Sequence, residues 1–156
     1  MHSSPRAFPL CAKVLVATFL AGCGGDGESS GPETFPEVAG VYHISGQLDG
    51  TPKFDASLGG TITITQASST NGTLGGSGSV TGSFLEGQIE TVTDDAITAT
   101  ISSTGEIAFS LSDGTRTWSF TGRLSMSGAT IQDGRHRLDL GDGGFVTGDW
   151  SGSRTT

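Results

Sequence analysis

Apolar and polar residues alternate along most of the chain after Ala39. Ile62 and Ile64 stand between threonines in TITIT, and EIAFSLS alternates apolar residues with small or polar ones. A period of two is typical of strands that bury one face. The same pattern recurs in YHISGQL, AITATIS, RTWSFTGRLSM, HRLDL and FVTGDW, and no segment shows a helical period. The pattern therefore predicts an all-β domain.

Turn signals separate the predicted strands. Asn-Gly and Asp-Gly pairs supply the positive φ of tight hairpins, so neighbouring strands are expected to pair antiparallel. We expect a single antiparallel up-and-down meander of about eight strands. A closed barrel would bury one face of every strand and remove the edges, and a β-sandwich is the alternative. The signals are Asp49-Gly50, Asn71-Gly72, Asp94-Asp95, Thr104-Gly105, Asp113-Gly114, Asp133-Gly134 and Asp142-Gly143.

The first residues have the pattern of a secretory signal peptide, with Arg6 and Lys13 ahead of the short apolar run 14–20. That run is too short for a membrane span, which needs about 20 residues. The next residues, Leu20-Ala21-Gly22-Cys23, resemble a bacterial lipobox at all four positions. The resemblance implies that the Cys23 thiol carries a diacylglyceryl group. An ordinary secretory signal with a chance cysteine is the alternative.

Three segments follow from this interpretation. Residues 1–22 are expected to be a lipoprotein signal peptide, and residues 23–37 the lipidated cysteine with a flexible tether of Gly, Ser, Pro and acidic residues. Residues 38–156 form the predicted β-barrel domain. The expected location is the bacterial cell envelope, where the covalent lipid on Cys23 anchors the protein to a membrane. Gly24 carries no inner-membrane retention signal, which favours the outer membrane.

The charge of the chain narrows the range of partners. Sixteen acidic residues face eight basic ones, and the formal net charge is −8. An acidic surface with dispersed cations argues against nucleic acid as a partner. It also argues against electrostatic docking on anionic lipid.

Short motifs in the barrel region resemble those of known small barrels. Gly40-Val41-Tyr42 is similar to the Gly-x-Trp that often opens the first strand in the lipocalin and avidin group, with Tyr in place of Trp. Ser127-Gly128-Ala129 and Gly148-Asp149-Trp150 resemble strand motifs of small bacterial lipoproteins. The resemblance implies a small antiparallel barrel over roughly residues 38–154. No ligand-contacting residue carries over with it.

The residue inventory does not support catalysis, so we expect no enzyme, no cofactor and no metal site. His43 is predicted to face solvent, and His136 is placed at the start of a strand near a turn. The segment from Asp139, DLGDGG, lacks the spacing and closing Glu of a calcium loop. No nucleophile elbow and no zinc ligand set are present in the sequence.

The candidate binding residues are Trp118, Phe120 and Trp150, which fall on the apolar face together with Met126. They are either barrel core or the lining of a pocket, because an eight-stranded barrel either fills its interior or holds one small ligand. Two functions follow. The first is noncatalytic binding, for example of a small apolar ligand. The alternative is a structural or protein-interaction module of the cell envelope, including protease inhibition.

Overall fold

The computed structural model describes residues 32–49, 57–84 and 89–155. Cys23 and the segments predicted as signal peptide and tether lie outside these ranges, except for the last residues of the tether. The described residues form eight strands and no helix. The strands are β1 (Gly40–Gln47), β2 (Ser57–Thr65), β3 (Thr73–Ser83), β4 (Ile89–Ile101), β5 (Glu106–Ser112), β6 (Thr117–Leu124), β7 (Thr130–Asp139) and β8 (Phe145–Arg154).

The strands form one closed barrel in chain order. Each strand pairs antiparallel with the next, and β8 returns to pair with β1. The predicted up-and-down meander of about eight strands is confirmed, and the barrel rather than the sandwich is the architecture. The connections from β4 to β5, β5 to β6, β6 to β7 and β7 to β8 are only four or five residues long. Connections this short favour pairing with the neighbouring strand.

The interior is filled by the apolar residues that the period of two predicted. Each strand contributes inward side chains, and the outward positions are mainly Thr, Ser and charged residues. The largest fully buried side chains are Trp118, Tyr42, Phe120, Ile62, Ile64, Ile107, Leu111, Ile131 and Leu138. Met126 departs from the prediction. It follows the end of β6 and is fully exposed, because the strand parity ends with the strand.

The residues ahead of β1 close one end of the barrel. Val38 is fully buried, and Phe35 packs against the core. The Gln66 side chain holds this segment with two hydrogen bonds. Its Oε1 accepts from the Val38 N–H at 2.9 Å, and its Nε2 donates to the Pro36 carbonyl at 3.1 Å. The Tyr42 hydroxyl donates to the Val38 carbonyl at 3.0 Å. We call this the proximal end, and the end with the 113–116 and 140–144 turns the distal end.

Two predicted turns lie inside strands instead. Asp133-Gly134 falls within β7, where the register to β6 shifts and two residues oppose one. Asp94-Asp95 falls within β4, next to a register shift against β3. Asp133 has φ 52°, so this residue does adopt the positive φ that a turn would require. A β-bulge can use the same positive φ as a tight turn, so Asp-Gly by itself does not distinguish the two at Asp133-Gly134.

The bulge in β7 holds the Trp150 indole. Its Nε1 donates to the carbonyls of Thr121 at 2.8 Å and Arg135 at 3.1 Å, which flank the bulge on β6 and β7. A Cβ at Gly134 would lie 2.5 Å from Nε1 and 2.6 Å from Cδ1 of the indole. Only glycine therefore lets the indole lie against the backbone here.

We predict that Gly134→Ala destabilises the barrel by about 1–3 kcal/mol, because the added methyl group overlaps the Trp150 ring and the bulge carbonyls lose their donor. The matched control is Gly59→Ala, where the nearest atom to a Cβ lies 4.0 Å away. We expect that control to change the free energy of unfolding by less than about 0.5 kcal/mol. Urea unfolding followed by Trp emission measures both. Equal stability of the two variants would contradict the placement of the indole.

Candidate functional site

The structure brings the three predicted binding residues together. Phe120 stacks on Phe109 with ring centroids 4.8 Å apart, and its centroid lies 5.3 Å from that of Trp150. Trp118 lies 5.8 Å from Phe120. These four rings, which we call the aromatic cluster, are each no more than 4% exposed. Their packing arises from register, since Phe109 and Phe120 are directly opposed on β5 and β6.

The cluster leaves little room around Trp118. Its ring is fully buried, and a Cβ at Gly82 on the opposite wall would lie 2.9 Å from Cη2 of the indole. Edge-to-face and offset-stacked contacts of this kind add to the stability gained from burial. Within the described residues, the rings of Trp118, Phe120 and Trp150 thus pack in the barrel core. A ligand could occupy this place only if the rings moved.

A histidine that the sequence pattern places at the start of a strand packs against this cluster. His136 is the seventh residue of β7 rather than its start, and it is only 3% exposed. Among the described residues, His136 is the one polar or charged residue that is buried in the core. Its shared parity with Leu138 was the signal that pointed inward. The apparent turn at Asp133-Gly134, which is a bulge, concealed that signal.

Both ring nitrogens of His136 have partners. The Trp118 Nε1–H donates to Nδ1 at 3.1 Å, and Nε2 lies 2.8 Å from the Gln47 carbonyl oxygen. An indole N–H can only donate and a carbonyl can only accept. Nδ1 must therefore be unprotonated and Nε2 must carry the proton. This arrangement fixes a neutral imidazole in a single tautomer.

Glycine makes the contact with Gln47 possible. Gly148 on β8 lies between β7 and the end of β1, and a Cβ at this position would overlap the Gln47 carbonyl oxygen and lie 2.7 Å from His136 Nε2. Without a side chain at Gly148, the carbonyl reaches across β8 to the imidazole. The chain Trp118–His136–Gln47 consequently links β6, β7 and β1 at the distal half of the barrel.

Burial lowers the pKa of His136 below its ordinary value of 6.5, because the charged imidazolium loses its hydration. The hydrogen bond to the Gln47 carbonyl and the nearby carboxylates of Asp49 and Asp149 act in the opposite direction, with smaller effect. Those two carboxylates are shared with Arg135, whose guanidinium lies 2.8 Å from Asp149 and 3.7 Å from Asp49. The neutral form that the hydrogen bonds require is also the form that burial favours.

The two histidines of the described ranges have different surroundings. Both nitrogens of His136 are committed to hydrogen bonds, and no hydroxyl or carboxylate is paired with them. His43 is exposed, with Nδ1 3.3 Å from the Thr61 hydroxyl. Within the described ranges, no group of three or more His, Cys, Asp or Glu side chains converges to hold a metal ion.

The outer wall carries a different chemistry. A groove over β4, β5 and β6 is lined by Thr100, Ala108 and Thr121 and ends beside the Glu106–Arg123 ion pair, 3.2 Å long. Both members of that pair are more than half exposed, so it contributes little to stability. The groove offers hydroxyl groups rather than an enclosed apolar volume.

Comparison with known proteins adds little to what the fold indicates about function. No protein-family model matches the chain, and no curated protein matches it. The closed eight-stranded antiparallel barrel is compatible with a lipocalin-like or avidin-like fold. In the part of the chain that the structure describes, no helix has the length and apolar character of a membrane span.

We predict that the barrel loses stability as the pH falls from 7.5 to 5.5. The unfolded chain binds a proton on His136 near its ordinary pKa of 6.5, whereas the folded state has a lower pKa and excludes that proton. His136→Gln keeps an acceptor and a donor without titrating, so its stability should fall less over this interval. His43→Gln, at an exposed position, serves as the control and should follow the wild type. Melting temperatures at several pH values test this, and an equal acid-induced loss in His136→Gln and wild type would contradict it.

Proposed function

We propose that this protein is a lipid-anchored envelope protein with a noncatalytic binding role, and that it binds another envelope protein through the distal end of its barrel. The observation that carries this is the filled interior, in which Trp118 is fully buried against Gly82. A barrel whose interior is occupied by its own side chains binds through its outside. This favours the interaction role over an internal cavity for a ligand.

The entry of the chain supports the choice of the distal end. The residues before β1 pack on the proximal end through Phe35 and Val38. The chain from Cys23 therefore enters the domain at that end, and the distal end is the one farther along the barrel from this attachment. The distal end also exposes apolar side chains, since Ile89 is 67% exposed and Phe145 is 55% exposed. Exposed apolar groups among polar neighbours are typical of interaction sites.

A small apolar ligand is the second candidate. Trp118, Phe120 and Trp150 form an apolar cluster with one buried polar group, His136, which is the composition of many small-molecule sites. Binding there would require the rings to separate at the distal half of the barrel. We propose no enzymatic activity, no cofactor and no nucleic-acid partner. The proposed location remains the outer membrane.

The anchor is tested at Cys23. Cys23→Ser should abolish incorporation of a fatty-acid analogue, because a hydroxyl is a far weaker nucleophile than a thiolate. The precursor should accumulate at higher apparent mass. Cys11→Ser is the matched control and should be labelled like the wild type. Equal labelling of Cys23→Ser and wild type would refute the lipid anchor.

The binding role is tested in living cells with a photoreactive phenylalanine analogue in place of Phe145. We expect a discrete cross-linked protein at this distal position. The control places the same analogue at Met126, which is fully exposed in the turn after β6 at the proximal end, and should give no such product. If neither position cross-links a protein, while the domain lacking residues 1–23 binds an apolar fluorescent probe saturably, the ligand role replaces the interaction role.

A further inference from the structure

The barrel wall is uneven between β4 and β5. β4 pairs with β3 from Ile89 to Thr100, but it pairs with β5 only from Thr98 to Ile101. Among the described residues, no strand pairs with the β5-facing side of Ile89–Thr93. We call this stretch the β4 edge. It lies at the distal end, above the 113–116 turn.

The register shows which backbone groups face outward along this edge. The hydroxyls of Thr81 and Thr91 lie 3.0 Å apart, and so do those of Ser79 and Thr93. Side chains lie this close in non-hydrogen-bonded pairs, whose N–H and C=O groups point away from the partner strand. The N–H and C=O groups of Thr91 and Thr93 therefore point away from β3, toward the side where β5 has ended.

A side chain confirms that direction. The Arg116 guanidinium, from the turn between β5 and β6, donates to the Thr91 carbonyl at 3.3 Å. Arg116 also pairs with Glu90 and, at 2.8 Å, with Asp113. A carbonyl oxygen has two lone pairs, so this contact leaves acceptor capacity at Thr91.

The charge around the edge indicates which partner fits. Arg116 contacts this edge and pairs with Glu90 and Asp113, and the β4 residues that follow the edge, Asp94 and Asp95, are also acidic. Asp94 already accepts from the Ser112 and Ala96 backbone N–H groups, each at 2.9 Å. The remaining field is negative, and it favours a cationic segment.

We propose that the β4 edge binds a short, extended, basic segment of a partner protein by strand addition. Main-chain hydrogen bonds to Thr91 and Thr93 would supply the affinity, and the acidic surroundings would select a segment with Lys or Arg. This rests on the proposed binding role and specifies its contact site. The exposed side chain of Ile89 supplies an apolar contact at the end of the edge.

The intact protein in phosphatidylcholine nanodiscs tests this with a labelled seven-residue peptide of alternating valine and lysine. Fluorescence anisotropy should show saturable binding, with empty nanodiscs as the blank. The same peptide with glutamate in place of lysine should bind at least about tenfold more weakly, and so should an N-methylated valine–lysine peptide that lacks strand donors. Equal binding of the three peptides, or no binding of the first, would overturn the proposal.

Thr91→Pro is the decisive variant. It removes an N–H that points to the edge and leaves the ladder to β3 intact, so the barrel should fold while peptide affinity falls about tenfold. Thr91→Val keeps the N–H and is the matched control, with affinity as in wild type. Unchanged affinity in a folded Thr91→Pro would overturn the proposal.

Amide hydrogen exchange gives a readout without any variant. The amide of Thr91 should exchange faster than that of Val92 in the free protein and slow down when the valine–lysine peptide is added. A Thr91 amide that is already as protected as that of Val92 would overturn the proposal. If peptide binding fails while the Phe145 position still cross-links a protein in cells, the interaction role stands and this contact site does not.

Discussion

The interior of a closed eight-stranded barrel must be filled, and this chain does so with few large side chains. Glycine accounts for 26 of its 156 residues, and only two are tryptophan. Each tryptophan side chain occupies space that glycines leave. For Trp150 these glycines lie on its own strand and on β1, β6 and β7, and for Trp118 the glycine lies on β3. A Cβ would lie within 3.3 Å of the Trp150 side chain at Gly46, Gly122, Gly134 and Gly152, and within 2.9 Å of Trp118 at Gly82. Close packing of this kind is what interiors require, and here it depends on pairing the largest residue with the smallest.

Filling a core with tryptophan creates a second requirement, because each buried indole N–H needs an acceptor. Trp150 finds two carbonyls at the bulge between β6 and β7. Trp118 finds His136, whose own N–H is satisfied by Gln47. A buried histidine would often be interpreted as a catalytic base. In this barrel the hydrogen bonds of His136 give it a structural role. Its Nδ1 accepts from the Trp118 N–H, which would otherwise be buried without a partner.

The sequence predicts the repeating part of this structure well and the irregular part poorly. Alternation alone places Trp118, Phe120 and Leu138 on the inner face, because parity is a local property of a strand. The bulge at Asp133-Gly134 is not local. Asp-Gly adopts positive φ in turns and in bulges alike, and the Trp150 indole, 16 residues later in the sequence, selects the bulge. Because Asp133-Gly134 has the sequence of a turn, the pattern predicts His136 at the start of a strand, whereas it is the seventh residue of β7. The filled interior depends on ring contacts between strands, which parity does not specify.

Closure also limits how evenly a barrel can pair its strands. β4 has 13 residues and β5 has 7, so a part of β4 must extend past its neighbour. Among the described residues, Arg116 reaches this excess, and its guanidinium donates to the Thr91 carbonyl where a strand N–H would otherwise lie. Basic side chains at edges commonly prevent unwanted pairing. Here the carboxylates of Glu90 and Asp113 neutralise the Arg116 guanidinium. The guanidinium therefore repels an added cationic strand less, and the surrounding negative charge disfavours an anionic strand. The same contact that restrains the edge therefore also gives it a preference for the charge of the strand that joins it.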